Sequence, residues 1–136
     1  MPHLLETGLE FLDANNPNGL PKVKGYNIIN GEITSSSDGE TFVSRNPAIL
    51  DDELGVFPLS TKDDVHAAIS AARNAFATWS ATPPPTRGQI IGNMGRLLME
   101  HKDEIVAIET REIGKTLKES AGSVQEAIDN CLFFQS

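Results

Sequence analysis

The fold is decided by residues 79–134, which read WSATPPPTRGQIIGNMGRLLMEHKDEIVAIETREIGKTLKESAGSVQEAIDNCLFF. Apolar residues recur there at steps of three and four, the spacing that places side chains on one face of an α-helix. The segment is divided by prolines at 83–85, which cannot continue a helix, and by Gly114, which suits a left-handed C-terminal cap. It therefore predicts three amphipathic helices.

A further helix is predicted just before this segment, so that four apolar stripes follow one another along the chain. Thr61 is expected to cap the first helix with Asp64 at the N3 position, and Thr116 with Glu119 has the capping-box pattern for the last. Proline is favoured in the first turn of a helix, so the second helix is expected to begin at the proline run. The predicted stripes are Val65, Ile69, Ala72, Phe76 and Trp79 in the first helix, Ile90, Met94, Leu97 and Leu98 in the second, Ile105, Ile108 and Ile113 in the third, and Leu117, Ala121, Val124, Ile128 and Cys131 in the fourth.

The first sixty residues are predicted to be mainly β. Asn30-Gly31 readily supplies the two positive φ angles of a type I′ turn, so residues 26–34 are expected to form a hairpin. Strands are also expected at 41–45 and 54–59. Residues 3–13 are rich in leucine and predict a short helix within an N-terminal extension.

Composition excludes several classes of function. The chain has 136 residues, a formal charge of −8 and one cysteine. No apolar run approaches the roughly 20 residues that span a bilayer, and no secretory signal is evident at the start. The negative charge opposes binding to nucleic acid, whose recognition relies on clustered Lys and Arg. The sequence thus predicts a cytoplasmic protein without nucleic-acid or membrane partners.

Two motifs resemble parts of a ligand-binding or catalytic site, but each is better explained by a structural role. Residues 113–116 end like a phosphate-binding loop, yet Glu109 stands where that loop needs its first glycine, so a helix cap is expected. Cys131 falls on an apolar stripe late in a helix, where the helix dipole disfavours a thiolate, so a core position is expected.

Metal binding is not predicted either. The histidines at 3, 66 and 101 lie far apart, with no metal-ligand spacing around them. The carboxylates at 51–53 and 63–64 lack the alternating oxygens and the central glycine of a calcium loop. No catalytic, cofactor-binding or metal-ligating residue is therefore predicted in this chain.

Several short motifs nevertheless share their order and spacing with a known family. Together they resemble the N-terminal part of the aldehyde dehydrogenase superfamily, over about residues 26–136. Two longer stretches, 79–91 and 122–129, look like the antiquitin-type branch, associated with α-aminoadipic semialdehyde oxidation in lysine degradation. The short motifs are Asn46-Pro47-Ala48, Ala71-Ala72 through Trp79, Arg87-Gly88, Glu109-Thr110 and Gly114-Lys115.

The resemblance implies an α/β fold: an N-terminal β-hairpin and short strands followed by amphipathic helices, an incomplete part of an aldehyde dehydrogenase cofactor-binding domain. Residues 1–25 would be an N-terminal extension and 26–136 the N-terminal part of that domain. Such enzymes pass hydride from a cysteine thiohemiacetal to NAD or NADP and act as homo-oligomers. The nucleophilic cysteine, the general-base glutamate and the nicotinamide-binding segments lie further along the family's chain, so Cys131 and Glu126 do not take those roles.

The balance of elements leads to the same expectation without the family. Helices of an α/β protein bury their stripes against a sheet, and few strands accompany these helices. We therefore expect a truncated chain that is inactive alone, and the resemblance implies that the parent protein is an aldehyde dehydrogenase acting on a small-molecule aldehyde. The alternative is a non-catalytic helical interaction module that docks on a full-length relative through Leu117, Val124 and Ile128.

Overall fold

A computed structural model of the chain describes residues 10–11 and 22–135. It divides into two compact units, Met1–Ala75 and Phe76–Ser136. The expected succession of short strands followed by helices is confirmed. The strands are β1 (Glu10–Phe11), β2 (Val23–Lys24), β3 (Asn27–Ile29), β4 (Glu32–Thr34), β5 (Thr41–Arg45) and β6 (Glu53–Pro58), and the helices are α1 (Lys62–Ala81), α2 (Pro84–Glu100), α3 (Lys102–Ile113) and α4 (Leu117–Phe133).

The predicted hairpin is present in the first unit. Strands β3 and β4 pair antiparallel with Ile28 opposite Ile33. Asn30 and Gly31 have φ angles of 55° and 78°, as a type I′ turn requires. The hairpin therefore follows from the two turn residues.

A second sheet has the strand order β1–β2–β6–β5. Strand β6 is central: it pairs antiparallel with β5 and parallel with β2. Gly55 permits the second pairing, because a Cβ atom there would lie 2.1 Å from the carbonyl oxygen of Val23. The expected strand at 41–45 is confirmed, and the one expected at 54–59 begins and ends one residue earlier.

The N-terminal helix expected at 3–13 is wrong at residues 10–11, which form β1 and pair antiparallel with β2. The backbone N–H and C=O groups of these residues pair with the neighbouring strand and do not make the helical hydrogen bonds that the leucine spacing alone had suggested. The rest of that prediction lies outside the described residues.

The start of α1 is fixed by the expected cap. The hydroxyl of Thr61 accepts the backbone N–H of Asp64 at 3.3 Å, and the Asp64 carboxylate accepts the backbone N–H of Thr61 at 2.7 Å. The same carboxylate accepts the backbone N–H of Ser37 at 3.2 Å. One side chain therefore secures both the helix start and the loop before β5.

The second unit is built from α2, α3 and α4, with α4 packed against both of the others. Its core consists of Val106, Val124 and Ile128, with Leu98, Ile105, Ala121 and Leu132 packed around them. Helix α2 begins at Pro84, and Gly114 caps α3 with a φ of 75°. The capping box of Thr116 and Glu119 is also formed. All three predicted boundary signals are confirmed.

The buried side of α3 differs from the prediction. Val106 is the buried residue of that helix, whereas Ile105 and Ile108 are half-buried and Ile113 is exposed. Four β-branched aliphatic residues lie within nine positions and spread over about half of the helix circumference, so their spacing does not decide which of them is buried. Val106 and the adjoining Ile105 pack in the core, whereas Ile113 is the last residue of α3 and is exposed although it lies about 20° from Val106 around the helix.

Candidate functional site

Cys131 lies inside the helical unit, as expected. Its side chain is 8% exposed and its Cβ atom lies against Gly95 of α2. Among the described residues no hydrogen bond joins its thiol to a base. A nucleophile must reach an incoming carbonyl carbon, and this position offers no such access.

Glu126 does not complete a reactive pair with this thiol. It is exposed and lies five residues before Cys131 on the same helix. At about 100° per residue, the two side chains leave α4 roughly 140° apart. A general base must come within hydrogen-bond reach of the group it serves, so this arrangement performs no acid–base step.

The segment that resembles a phosphate-binding loop is a helix junction. The backbone N–H of Gly114 donates to the carbonyl oxygen of Thr110 at 3.0 Å, which closes α3. The Nζ atom of Lys115 donates to Glu109 Oε1 and to Ser123 Oγ, each at 2.9 Å. Lys115 thus braces the end of α3 against α4, and the helix-cap prediction is confirmed.

The clustered carboxylates also have structural partners. Asp52 accepts a hydrogen bond from the Asn46 amide at 3.1 Å, inside a turn where both residues are buried. Glu53 pairs with Lys22 at 2.7 Å and with Arg45 at 2.6 Å. The hydrogen bond from Lys22 is the main reason that the pKa of Glu53 is lowered. The described residues contain no group of three or more His, Cys, Asp or Glu side chains that could hold a metal ion.

The distinctive surface of the second unit is one side of α2, formed by Ile90, Met94 and Leu97 and called here the outer face. These side chains are 49%, 49% and 47% exposed. They were predicted to form the helix's apolar stripe together with Leu98, yet only Leu98 packs against the core. The stripe exists, but most of it is directed away from the unit's own interior.

Three glycines that the sequence interpretation missed form the buried side of α2. Gly88, Gly92 and Gly95 are buried, and they lie roughly 160° around the helix from the outer face. A Cβ atom at position 95 would lie 2.9 Å from the Cβ atom of Cys131. Gly95 faces α4, and Gly88 and Gly92 face Gln135 just after it, so their spacing of four and three residues is the signal that could have identified this side as the internal contact.

The docking stripe expected for an interaction module is wrong. Val124 is 4% exposed and Ile128 is fully buried, so both belong to the core of the unit itself. Leu117, by contrast, is exposed at the first position of α4. Periodicity identified an apolar face correctly, but α2 and α3 already cover it.

Comparison with known proteins decides the family. The sequence model of the aldehyde dehydrogenase family matches residues 33–136. The chain belongs to the aldehyde dehydrogenase family. The superfamily resemblance proposed from the motifs is therefore confirmed.

Two curated relatives are semialdehyde dehydrogenases. The chain is 42% identical over 110 residues to an α-ketoglutarate semialdehyde dehydrogenase of Haloferax volcanii, a match that covers 81% of this chain and 23% of that protein. It is 44% identical over 103 residues to a malonate-semialdehyde dehydrogenase of Bacillus cytotoxicus, covering 76% and 21%. The chain therefore spans less than a quarter of the length of these relatives.

Solved structures show the same fold. A crystal structure of an NAD-dependent aldehyde dehydrogenase from Sinorhizobium meliloti superposes with a TM-score of 0.81 at 24% identity, covering 89% of this chain and 24% of that one. An NADP-dependent enzyme of E. coli superposes with a TM-score of 0.75 at 36% identity, covering 79% and 22%. The α/β architecture of this family member matches part of the aldehyde dehydrogenase fold.

The described residues do not fit a dinucleotide. Such a cofactor needs a glycine-rich turn from a strand into a helix, where free backbone amides receive its phosphates. Here β6 is connected to α1 by Leu59-Ser60-Thr61, which contains no glycine, and the Asp64 carboxylate occupies the backbone amide of Thr61, the residue just before that helix. A negative side chain at that position would repel a phosphate.

Proposed function

We propose that this chain is the N-terminal portion of an NAD(P)-dependent aldehyde dehydrogenase that oxidises an aldehyde to a carboxylate. The family match over residues 33–136 is the observation that carries the proposal. In this proposal residues 1–25 are an extension and 26–136 belong to the aldehyde dehydrogenase domain. The working cysteine, the general base and the cofactor site then lie in the part of the fold that these residues do not cover.

The substrate class that we propose is a semialdehyde. The names of both curated relatives contain a semialdehyde that also bears a carboxylate, and α-aminoadipic semialdehyde has the same two groups. The residues at 79–91 and 122–129 are what favour the antiquitin-type substrate and a role in lysine degradation. The shared chemistry, an aldehyde and a carboxylate in one small molecule, is the substrate feature common to all three.

The remaining properties of the whole enzyme are proposed from the family. NAD or NADP would accept the hydride, and the solved relatives include one enzyme described as dependent on each. We propose a cytoplasmic homo-oligomer with a small-molecule substrate and without nucleic-acid or membrane partners. None of the helices in the described residues has the length and apolar character needed to cross a bilayer.

The 136-residue chain alone is proposed to be inactive. Cys131 is buried, and Glu126 leaves the same helix on a different side. Mixing the purified chain with malonate semialdehyde or α-aminoadipic semialdehyde and NAD⁺ should therefore give no NADH absorbance. Turnover that disappears in a Cys131→Ser variant would overturn this part of the proposal.

A chimaera tests the positive claim. In the Bacillus cytotoxicus malonate-semialdehyde dehydrogenase, the segment aligned with this chain is replaced by this chain's own residues. Because the two segments share 44% identity over 103 residues, the chimaera should fold and produce NADH from malonate semialdehyde. A soluble but inactive chimaera, beside an active unaltered relative, would contradict the proposed function.

A further inference from the structure

The turn of the β3–β4 hairpin joins two residues that can react with each other. In the pair Asn30-Gly31, the glycine backbone nitrogen can attack the side-chain amide carbon of the asparagine, because glycine has no side chain to hinder the approach. Both residues are exposed, and a Cβ atom at Gly31 would meet nothing within 4 Å. Space and water are therefore available for a reaction at this turn.

The reaction has two steps and consumes only water. The Gly31 nitrogen forms a bond to Asn30 Cγ while the bond from Cγ to the side-chain nitrogen breaks, and that nitrogen leaves as ammonia with the proton of the Gly31 amide. Water then opens the cyclic succinimide at either of its two carbonyl carbons. Opening at Cγ gives aspartate. Opening at the main-chain carbon gives isoaspartate, in which the backbone runs through Cγ and is longer by one methylene group.

The closed hairpin holds the reacting atoms apart. Asn30 and Gly31 have φ angles of 55° and 78° and form a type I′ turn. This turn is the mirror image of type I, so ψ of its first central residue is about 30°. At that ψ the Gly31 nitrogen lies nearly opposite Asn30 Cβ across the Cα–C bond, whereas ring closure needs both atoms on the same side. The hairpin must therefore open before the ring can form.

Few contacts keep this hairpin closed. Within the described residues β3 and β4 form a sheet of two strands only, and the cross-strand pair of Ile28 and Ile33 is exposed. Two hydrogen bonds, at 2.9 Å and 3.1 Å, join the Asn27 side chain to the Ser60 hydroxyl. A two-stranded hairpin is only marginally stable in water, so it opens more readily than the rest of the unit unfolds.

We propose that Asn30 is a deamidation site that the closed hairpin protects and that opening of the hairpin exposes. Conversion to aspartate retains the turn, because Asp-Gly also favours type I′. Isoaspartate lengthens the backbone inside a two-residue turn whose geometry sets the strand register, so the hairpin cannot close again in the same way. A brief opening is thereby converted into a permanent change of the chain.

The other described asparagines are poorer sites. Asn46 is buried and precedes Pro47, whose nitrogen carries no proton. The Asn27 amide is bonded to Ser60, and the following residue is the branched Ile28. The remaining ones lie inside helices, where the following backbone amide is hydrogen-bonded: Asn74, Asn93 and Asn130.

The test compares the 136-residue chain in mildly alkaline buffer with the same chain unfolded in urea. Aspartate and isoaspartate at position 30 are measured by mass spectrometry of the tryptic peptide 25–45, which excludes the other Asn-Gly pair at 18–19. A peptide of residues 29–32, too short to pair, corrects for any direct effect of urea. We expect a corrected rate at least fivefold slower in buffer. Equal rates would overturn the protection, and an unreacted Asn30 in urea would overturn the site.

Two substitutions of Thr34 open the hairpin selectively. Thr34 is paired with Asn27, and this pair is hydrogen-bonded because bonded pairs alternate along the ladder from the turn. Thr34→Pro removes the backbone donor and should bring the rate in buffer close to the rate in urea. Thr34→Val keeps the donor and removes a hydroxyl without a partner among the described residues, so it should react like the parent. Equal acceleration by both would contradict the gating by the hairpin.

Amide hydrogen exchange tests the permanent change. The isoaspartyl chain is purified from the reacted sample and compared with Asn30→Asp, which has the same charge and an ordinary backbone. We expect the amides of Ile29 and Glu32, which flank the turn, to exchange at least fivefold faster in the isoaspartyl chain. Equal exchange in the two chains would show that the hairpin closes despite the longer backbone, and would overturn this part of the proposal.

Discussion

Gly95 of α2 packs directly on Cys131 of α4. A Cβ atom at position 95 would lie 2.9 Å from the cysteine Cβ, closer than Cβ atoms normally approach, and 3.4 Å from Leu132 Cδ2. Cys131 and Leu132 both belong to α4, whose inward-facing residues are buried. The pair therefore sets the separation of two helices and buries the lone thiol at once.

Gly95→Ala should destabilise the chain. Alanine in a helix gains about 1 kcal/mol over glycine, but overpacking against α4 costs about 1–3 kcal/mol, so we expect a net loss of roughly 1 kcal/mol. Gly122→Ala is the matched control, since an added Cβ atom at that position of α4 meets nothing within 4 Å. That control should stabilise the chain by about 0.5–1 kcal/mol in urea unfolding. Equal stabilisation by both substitutions would contradict the close contact.

Local signals in the sequence predicted the element boundaries well. Asn30-Gly31, the proline run, Gly114 and the pair of Thr116 with Glu119 each act through their own backbone chemistry, so their effect does not depend on distant residues. The strand β2 was missed for the opposite reason. It has only two residues, and it is a strand because β6 pairs with it.

Which side of a helix is buried was harder to predict. Periodicity located the stripe of Ile90, Met94 and Leu97, but apolar character does not state which surface covers it. Glycine contributes no apolar side chain, so the buried side of α2 is not visible to a search for hydrophobic residues. The inner contact depends on closeness of two backbones, which is a property of the assembled helices.

The Cys131 thiol should be protected in the folded chain. Because it is 8% exposed, it should react with a thiol-specific disulfide reagent roughly a hundredfold more slowly in buffer than in denaturing urea. Gly95→Val, which forces α2 away from α4, should accelerate the native reaction. Gly122→Val lies in open space and serves as its control. An immediate reaction of the unaltered folded chain would show that the thiol is accessible.

Protonation of the Asp64 carboxylate should contribute to the loss of stability of the folded chain in acid. The hydrogen bond from the Thr61 backbone is the main reason that the pKa of Asp64 is lowered in the folded chain. Because this pKa is lower in the folded chain than in the unfolded chain, the ionised carboxylate stabilises the fold fully at pH values above the unfolded pKa of about 3.9. This contribution is lost as the pH falls through the folded pKa. Asp64→Asn should reduce stability at neutral pH and flatten the acid limb of the unfolding free energy.

Asp63 provides the control for that experiment. It is the exposed neighbour of Asp64 in the first turn of α1. Asp63→Asn should retain the acid slope of the parent chain, measured by urea unfolding at several pH values. Identical slopes for the parent and both variants would contradict the role of Asp64.

Thr116→Ala should weaken α4 by about 1 kcal/mol, the usual effect of losing an N-terminal cap. The Thr116 hydroxyl accepts the backbone N–H of Glu119 at 3.3 Å, and the Glu119 carboxylate accepts the backbone N–H of Thr116 at 3.1 Å. Thr116→Ser keeps the hydroxyl and should be close to neutral in the same unfolding experiment. If serine is as damaging as alanine, the cap is not the source of the stabilisation.

The isolated chain should bind a hydrophobic dye through the outer face of α2. Replacing Ile90, Met94 and Leu97 together by glutamine removes the apolar surface, and glutamine is a good helix former, so the helix should persist. We expect the triple variant to lose a measurable part of the dye fluorescence while its helical circular dichroism remains, because Phe76 and Phe133 stay exposed elsewhere on the chain. Changing Gln89, Asn93 and Arg96 of the polar side to alanine should not lower the fluorescence. A parent chain that leaves the dye dark would show that the outer face is already covered.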